Sequence, residues 1–266
     1  MPDDIPSESH VLFRVEDGIA TLTLNRPAKH NAITAAMGGE IGRLAARVDT
    51  DDAIQVLVIE GAGGRAFSAG SDVAMLDDLG TPWQGRNRAQ YGRDYVTPLL
   101  NLRKPAIAAI DGYCLGGGLE VALCCDVRLA TLRSTFGAPE VQRGWHAGSG
   151  NVTILPRLIG QGNAGLWVLT GDRFPAEEAF RVGLVQRIAE PEHLASEARA
   201  VAARIAANPP IAVQSAKHIM RQAQGASVAQ GLAWENDGYT LCMMTEDARE
   251  GMRAFVEKRE PAFRGR

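Results

Sequence analysis

One carboxylate, Glu120, stands in an otherwise apolar stretch, Gly116-Gly117-Gly118-Leu119-Glu120-Val121-Ala122-Leu123-Cys124-Cys125. The preceding apolar run, residues 105–110, reads as a short buried strand. The glycines that follow permit positive φ and a close approach of backbone N–H groups to a ligand. A helix opening there directs its first N–H groups outward, where they can hold a negatively charged oxygen. A carboxylate among Leu119, Val121, Ala122 and Leu123 is costly to bury without a purpose. Two readings follow. In one, the glycines serve close packing and Glu120 is a partner of the helix dipole. In the other, the turn holds an oxyanion and Glu120 moves a proton beside it.

Residues 112–126 resemble the signature of the enoyl-CoA hydratase/isomerase family, the crotonases. Four further blocks resemble the family in the right order: Leu24-Asn25-Arg26-Pro27 with Asn31-Ala32, Ala66-Phe67-Ser68-Ala69-Gly70-Ser71-Asp72, Phe136-Gly137-Ala138-Pro139-Glu140, and Ala254-Phe255-Val256-Glu257-Lys258-Arg259. The resemblance therefore runs from about residue 11 to the C-terminus. It implies an α/β fold, the crotonase (ClpP-like) spiral of ββα units. Residues 1–189 would carry the acyl-CoA site, and residues 190–266 would be a helical region for trimerisation.

It also implies a site. Ser71 and Gly117 match the two backbone oxyanion donors, and Glu120 and Glu140, twenty residues apart, match the two catalytic glutamates of the hydratase members. Lys29, Ala69, Ser71, Asp72, Val73, Ala74, Gly117, Gly148 and Lys258 match substrate contacts, with the two lysines at the CoA phosphates. Lys29 reads equally as a solvated loop lysine. The implied reaction is hydration of a trans-2-enoyl-CoA thioester to the 3-hydroxyacyl-CoA. Two carboxylates can hold one water, one accepting its proton and the other delivering a proton to the α-carbon. No metal or permanently bound cofactor is implied, coenzyme A being part of the substrate. The implied partner is a second copy of the chain, in a homotrimer or a hexamer built as a dimer of trimers.

The departure from the family pattern is Gly144-Trp145-His146-Ala147-Gly148-Ser149-Gly150-Asn151. Ala147 replaces a usual proline, Trp145 and His146 are bulky, and residues 151–154 replace most of a Gly-Gly-Thr-Gln run. This segment motivates one alternative, an isomerase, hydrolase or lyase acting on a branched or cyclic acyl-CoA; an alternative of another class is a non-catalytic acyl-CoA- or RNA-binding oligomer.

The elements that must position these residues read as α/β over the first two thirds and helical afterwards. Residues 11–15 and 19–24 are strands around an Asp17-Gly18 turn. An amphipathic helix is predicted over residues 33–48, strands over 54–60, 105–110 and 126–131, and a helix over 87–102 broken near Pro98. Asp72 is placed to cap a helix over 73–79, and a helix is predicted to begin at Asn151. Beyond these come helices over 164–170 and 175–182, a strand over 184–187, and helices over 193–207 and 209–224. A last helix starts at Thr245, where acids fill the first turn. Gly61-Ala62-Gly63-Gly64-Arg65-Ala66 follows a strand as in a dinucleotide-binding turn, but no sustained helix follows it. His30 has no accompanying nucleophile motif.

Composition fits a globular chain: 45% hydrophobic, 22% charged, with a net charge of −3 over 266 residues. That balance gives no broad basic surface for nucleic acid. The four cysteines form no C-x-x-C pair and read as apolar packing residues of a reducing compartment. No signal peptide, transit peptide, membrane-spanning run or peroxisomal address is evident, so the expected location is the cytoplasm.

Overall fold

The structure, a computed structural model, describes residues 9–73, 81–87 and 94–266. Strands β1 (Val11–Glu16) and β2 (Ile19–Leu24) pair antiparallel, and Asp17 and Gly18 both take positive φ at the turn, as a two-residue hairpin demands. From β2 onward the sheet is parallel, through β3 (Val56–Gly61), β5 (Ala106–Ile110), β7 (Val127–Thr131) and β10 (Arg187–Ala189), in the order β1-β2-β3-β5-β7-β10. Every residue of β5 is buried, as expected of a central parallel strand covered on both faces.

The strand period of two sends alternate side chains to different layers. Leu57, Ile59, Ala108 and Ile110 face the main core, which they share with Met37, Ile41, Leu44 and Val48 of helix α1 (Ala35–Thr50). Val56, Val58, Ile107 and Ala109 face the other way, against Leu194, Ala198 and Ala202 of helix α8 (Leu194–Ala206).

A second sheet was not anticipated. It has the order β4 (Ala66–Ser68), β6 (Tyr113–Leu115), β8 (Thr135–Gly137), β9 (Arg173–Pro175), with β4, β6 and β8 parallel and β9 antiparallel. Each strand has only three residues, too few to show a period in sequence. This sheet sets the site, because β4 and β6 end at the two stretches singled out above. Helix α4 (Gly117–Cys124), which opens one residue after the Gly116 turn, is buried along its whole length. Its C-terminal carbonyls are satisfied by buried Arg128, which donates to the carbonyls of Ala122 and Cys125. Lys217 and Arg221, from helix α9 (Pro210–Ala223), both pair with Asp126 at that same end.

The remaining elements correct several boundaries. Residues 151–154 are turns, and helix α5 (Leu155–Ile159) starts four residues later than expected, because the amides of Thr153, Ile154 and Leu155 all converge on the Gly150 carbonyl. A short helix α2 (Pro82–Arg86) comes first, and of the helix expected over 87–102 the described residues form α3 (Val96–Leu100). Helices α6 (Gln161–Thr170) and α7 (Ala176–Arg181) occur as predicted, with β9 between them, and the strand expected over 184–187 lies instead at Arg187–Ala189. Helices α10 (Val228–Met243) and α11 (Glu246–Glu257) complete the chain. Among the described residues no helix is long and apolar enough to cross a membrane.

One buried side chain holds the first loop of the site in place. Asn31, fully buried and at φ 55°, accepts from the Arg26 amide at 2.9 Å and donates to the carbonyls of Ala62 at 2.9 Å and Ala66 at 2.7 Å. Asn31→Ala strands these three groups and loses a residue type that tolerates left-handed backbone. Chemical denaturation is expected to show a loss of at least about 2 kcal/mol; an unchanged midpoint would contradict this role.

Candidate active site

The geometry is fixed by two backbone turns that meet. The first follows β4: the Ile33 amide donates to the Gly70 carbonyl, and the Asp72 amide donates to the Ile33 carbonyl, so Ser71 is held as a one-residue bridge beside Ile33. The second follows β6: the Gly116 amide donates to the Gly137 carbonyl, and Gly116 takes φ 51° as it turns into α4. A Cβ placed on Gly70 would lie 3.0 Å from the Gly117 nitrogen, and one placed on Gly117 would lie 3.2 Å from both the nitrogen and Oγ of Ser71. The Ser71 and Gly117 amides therefore sit on either side of one small space that only glycine leaves open. Neither amide has a partner among the described residues. Two amide nitrogens beside one such space can supply N–H groups to an oxygen that gains negative charge.

Both glutamates reach this region. Glu120, only 4% exposed, accepts a hydrogen bond from the Ser149 amide on Oε1 at 2.5 Å. Glu140 follows β8 on a 3₁₀ turn (Pro139–Arg143), and a Cβ on Gly116 would lie 3.1 Å from its Oε1. Its Oε1 accepts from Asn151 Nδ2 at 3.3 Å, while Oε2 is buried with no partner among the described residues. Burial pushes the Glu140 carboxyl above the usual range, opposed by hydrogen bonds that include Asn151 and by the Arg143 charge. One short segment, residues 149–151, thus touches both carboxylates.

Two participants were missed from sequence. Tyr95, almost buried, brings its hydroxyl to 3.4 Å from Ser71 Oγ and within 2.2 Å of the Cβ position on Gly117. In sequence it lay within the helix expected over 87–102, with nothing to mark it. Asn151, fully buried, donates from Nδ2 to the Gly116 carbonyl at 3.1 Å as well as to Glu140. It lay in the segment singled out as divergent, but nothing in sequence told its contacts.

The remaining expected residues are placed as follows. Ala69 is exposed and donates its amide to the His30 carbonyl at 2.9 Å, which ties the loop of Lys29 to the Ser71 turn. Lys29 itself is exposed at the end of a 3₁₀ turn (Pro27–Lys29). The Asp72 carboxylate accepts from Arg26 Nη1 at 3.0 Å, and Val73 is 53% exposed. Ala74, like most of the helix expected over 73–79, lies outside the described residues. Gly148 is exposed, and it is its neighbour Ser149 whose amide meets Glu120. Lys258 is exposed just past α11, at φ 53°. Of the divergent bulky pair, Trp145 is 42% exposed and His146 bonds the Ala147 carbonyl through Nδ1 at 2.8 Å. No group of three or more His, Cys, Asp or Glu suited to a metal ion occurs among the described residues.

Comparison with known proteins bears on this geometry. A family model described as enoyl-CoA hydratase/isomerase matches residues 14–266. The crotonyl-CoA hydratase of Syntrophomonas wolfei subsp. wolfei is 36% identical over 254 residues, 96% of this chain and 97% of that protein. The (E)-benzylidenesuccinyl-CoA hydratase of Thauera aromatica is 38% identical over 257 residues, 96% of this chain and 99% of that one. The crystal structure of enoyl-CoA hydratase from Bacillus anthracis superposes with a TM-score of 0.91 at 32% identity, covering 97% of this chain and all of that one.

Proposed function

The chain belongs to the enoyl-CoA hydratase/isomerase family, and from that premise we propose that it hydrates trans-2-enoyl-CoA thioesters to 3-hydroxyacyl-CoA. One observation carries the reading: the Ser71 and Gly117 amides, neither with a partner among the described residues, lie beside one small space, and both Glu120 and Glu140 stand around the same turn.

The steps follow from the chemistry of each group. The thioester oxygen lies between the two amides. Water loses a proton to Glu120, whose Oε1 faces an amide and so acts as an acceptor. The water oxygen forms its bond to C3, and the electrons of the C2–C3 double bond move onto the thioester oxygen as an enolate. The two N–H groups hold that charge. The enolate then collapses, and C2 takes a proton from Glu140, whose carboxyl is kept protonated to higher pH by burial. Transfer of the proton from Glu120 to Glu140 through solvent restores the starting state.

The proposal includes the surroundings. Lys29, Ala69, Asp72, Val73, Ala74, Gly148 and Lys258 are assigned to binding the CoA thioester. The compartment is assigned as the cytoplasm. The chain is proposed to work as a trimer, or a hexamer of two trimers, with residues 190–266 as the assembling region. The support is apolar surface left exposed on α10, at its end and on α11: Leu232, Leu241, Met244, Phe255 and Val256 are each more than half exposed.

The test is loss of the conjugated-thioester absorbance of crotonyl-CoA and of a longer trans-2-enoyl-CoA. Consumption of either supports hydration. A chain that binds CoA yet consumes no enoyl-CoA of any length is not a hydratase. Light scattering of the purified chain decides the assembly, and a monomer at micromolar concentration overturns the trimer.

A further inference from the structure

Asn151 has three features that no proton-transfer step above uses. It is fully buried, its Nδ2 bridges the Gly116 carbonyl at 3.1 Å and Glu140 Oε1 at 3.3 Å, and its Oδ1 is buried with no partner among the described residues. Gly116 is the residue whose φ of 51° turns the chain into α4 and so aims the Gly117 amide. Glu140 lies on a separate short turn after β8. The Asn151 carboxamide is therefore a brace between the oxyanion turn and the second carboxylate.

We propose that Asn151 is a positioning residue for the reaction: its carboxamide fixes one oxygen of Glu140 against the oxyanion turn and leaves the other oxygen to carry the proton. The part of this that concerns turnover rests on the hydratase reading. The brace itself does not, and it has a readout of its own. An N–H donated to a carboxylate favours the charged form, so the brace lowers the proton affinity that burial raises. Two buried acceptors then remain on the pair, Glu140 Oε2 and Asn151 Oδ1, and each calls for a donor. A protonated Oε2 supplies its own.

Among the described residues the charged surroundings of Glu140 are few. Arg143 stands on its own turn and favours the carboxylate. Glu120 approaches from α4 by way of the 149–151 segment. Helix α6, which packs on the 3₁₀ turn, carries no ionisable side chain. Among the described residues Asn151 is thus the side chain that donates to Glu140 from outside its own turn, so its removal is read directly at that carboxyl.

The experiment is carboxyl ¹³C titration of protein labelled at glutamate, with the Glu140 resonance identified by its loss in Glu140→Gln. Asn151→Ala is expected to raise the Glu140 midpoint by about one pH unit or more. It should also lower kcat about tenfold while changing KM little. Asn151→Asp keeps the shape and so guards against a folding failure. There the pair is expected to lose its protons in two steps, with the upper step above the wild-type midpoint. An unmoved Glu140 midpoint in both folded variants overturns the brace. A raised midpoint in a chain inert to every enoyl-CoA keeps the brace and overturns the hydratase reading instead.

Discussion

Gly117→Ala is expected to remove turnover by a factor of about a thousand or more and to leave the fold intact. The added methyl would lie 3.2 Å from the Ser71 nitrogen, in the space proposed for the thioester oxygen between the two amides. Loss of one such donor costs about a hundredfold to a thousandfold, and here neither donor can be reached. The fold tolerates the change. Gly117 opens α4 with ordinary helical backbone, alanine is the better helix former, and the one severe contact, 2.2 Å to the Tyr95 hydroxyl, is with the far end of a side chain that can rotate away. The neighbouring substitution makes the contrast. At Gly118 a Cβ would meet the Ser68 carbonyl oxygen at 2.3 Å and Ser68 Cβ at 2.7 Å, and β4 would have to move. Gly118→Ala is therefore expected to cost about 3 kcal/mol or more in stability. Thermal unfolding and initial rates measured on both variants check the pair. Full activity in Gly117→Ala would remove the oxyanion site from between these two turns.

The parts of this site that sequence revealed are those with local contrast. Glu120 stood out because a charge in an apolar helix is expensive, and α4 is indeed buried throughout. The Asp17-Gly18 hairpin and the face of α1 followed from turn chemistry and helical spacing. Ser71, Gly117 and Glu140 came from resemblance to the family. Its fold is now supported by a superposition over almost the whole chain. What sequence could not give were partners joined across long separations. Asn151 meets Gly116 thirty-five positions away, and Tyr95 meets Ser71 twenty-four positions away. No period or motif encodes such contacts. The second sheet was missed for a related reason: three-residue strands owe their existence to neighbours supplied by the tertiary fold rather than to their own pattern. The start of α5 was misplaced because Gly150, at φ 145°, gathers three amides on its carbonyl before the helix proper begins.

Replacement of each glutamate by glutamine carries the second large effect, and the two variants are expected to differ in stability while agreeing in rate. Each removes a proton acceptor or donor that the two-carboxylate mechanism requires, so each should lower kcat by a factor of about 10² to 10⁴. At Glu140 the buried carboxyl binds its proton more tightly in the folded chain than in the unfolded one. The folded state is then favoured at low pH, and that advantage is lost as pH rises through the raised folded value. Glutamine has no charge to bury. Relative to Glu140→Gln, wild type should therefore lose stability as pH rises from below the ordinary carboxylate range toward neutrality, and at neutral pH the variant should be at least as stable as wild type. At Glu120 the change converts an oxygen that accepts the Ser149 amide into a group that presents either oxygen or NH₂ to it, so no such gain is expected. Unfolding curves at several pH values, set beside crotonyl-CoA turnover, separate the two roles. A Glu140→Gln protein that keeps wild-type turnover would reduce the chemistry to one carboxylate. A Glu140→Gln protein less stable than wild type at neutral pH would mean that this carboxyl is held for the fold and not for the proposed proton delivery.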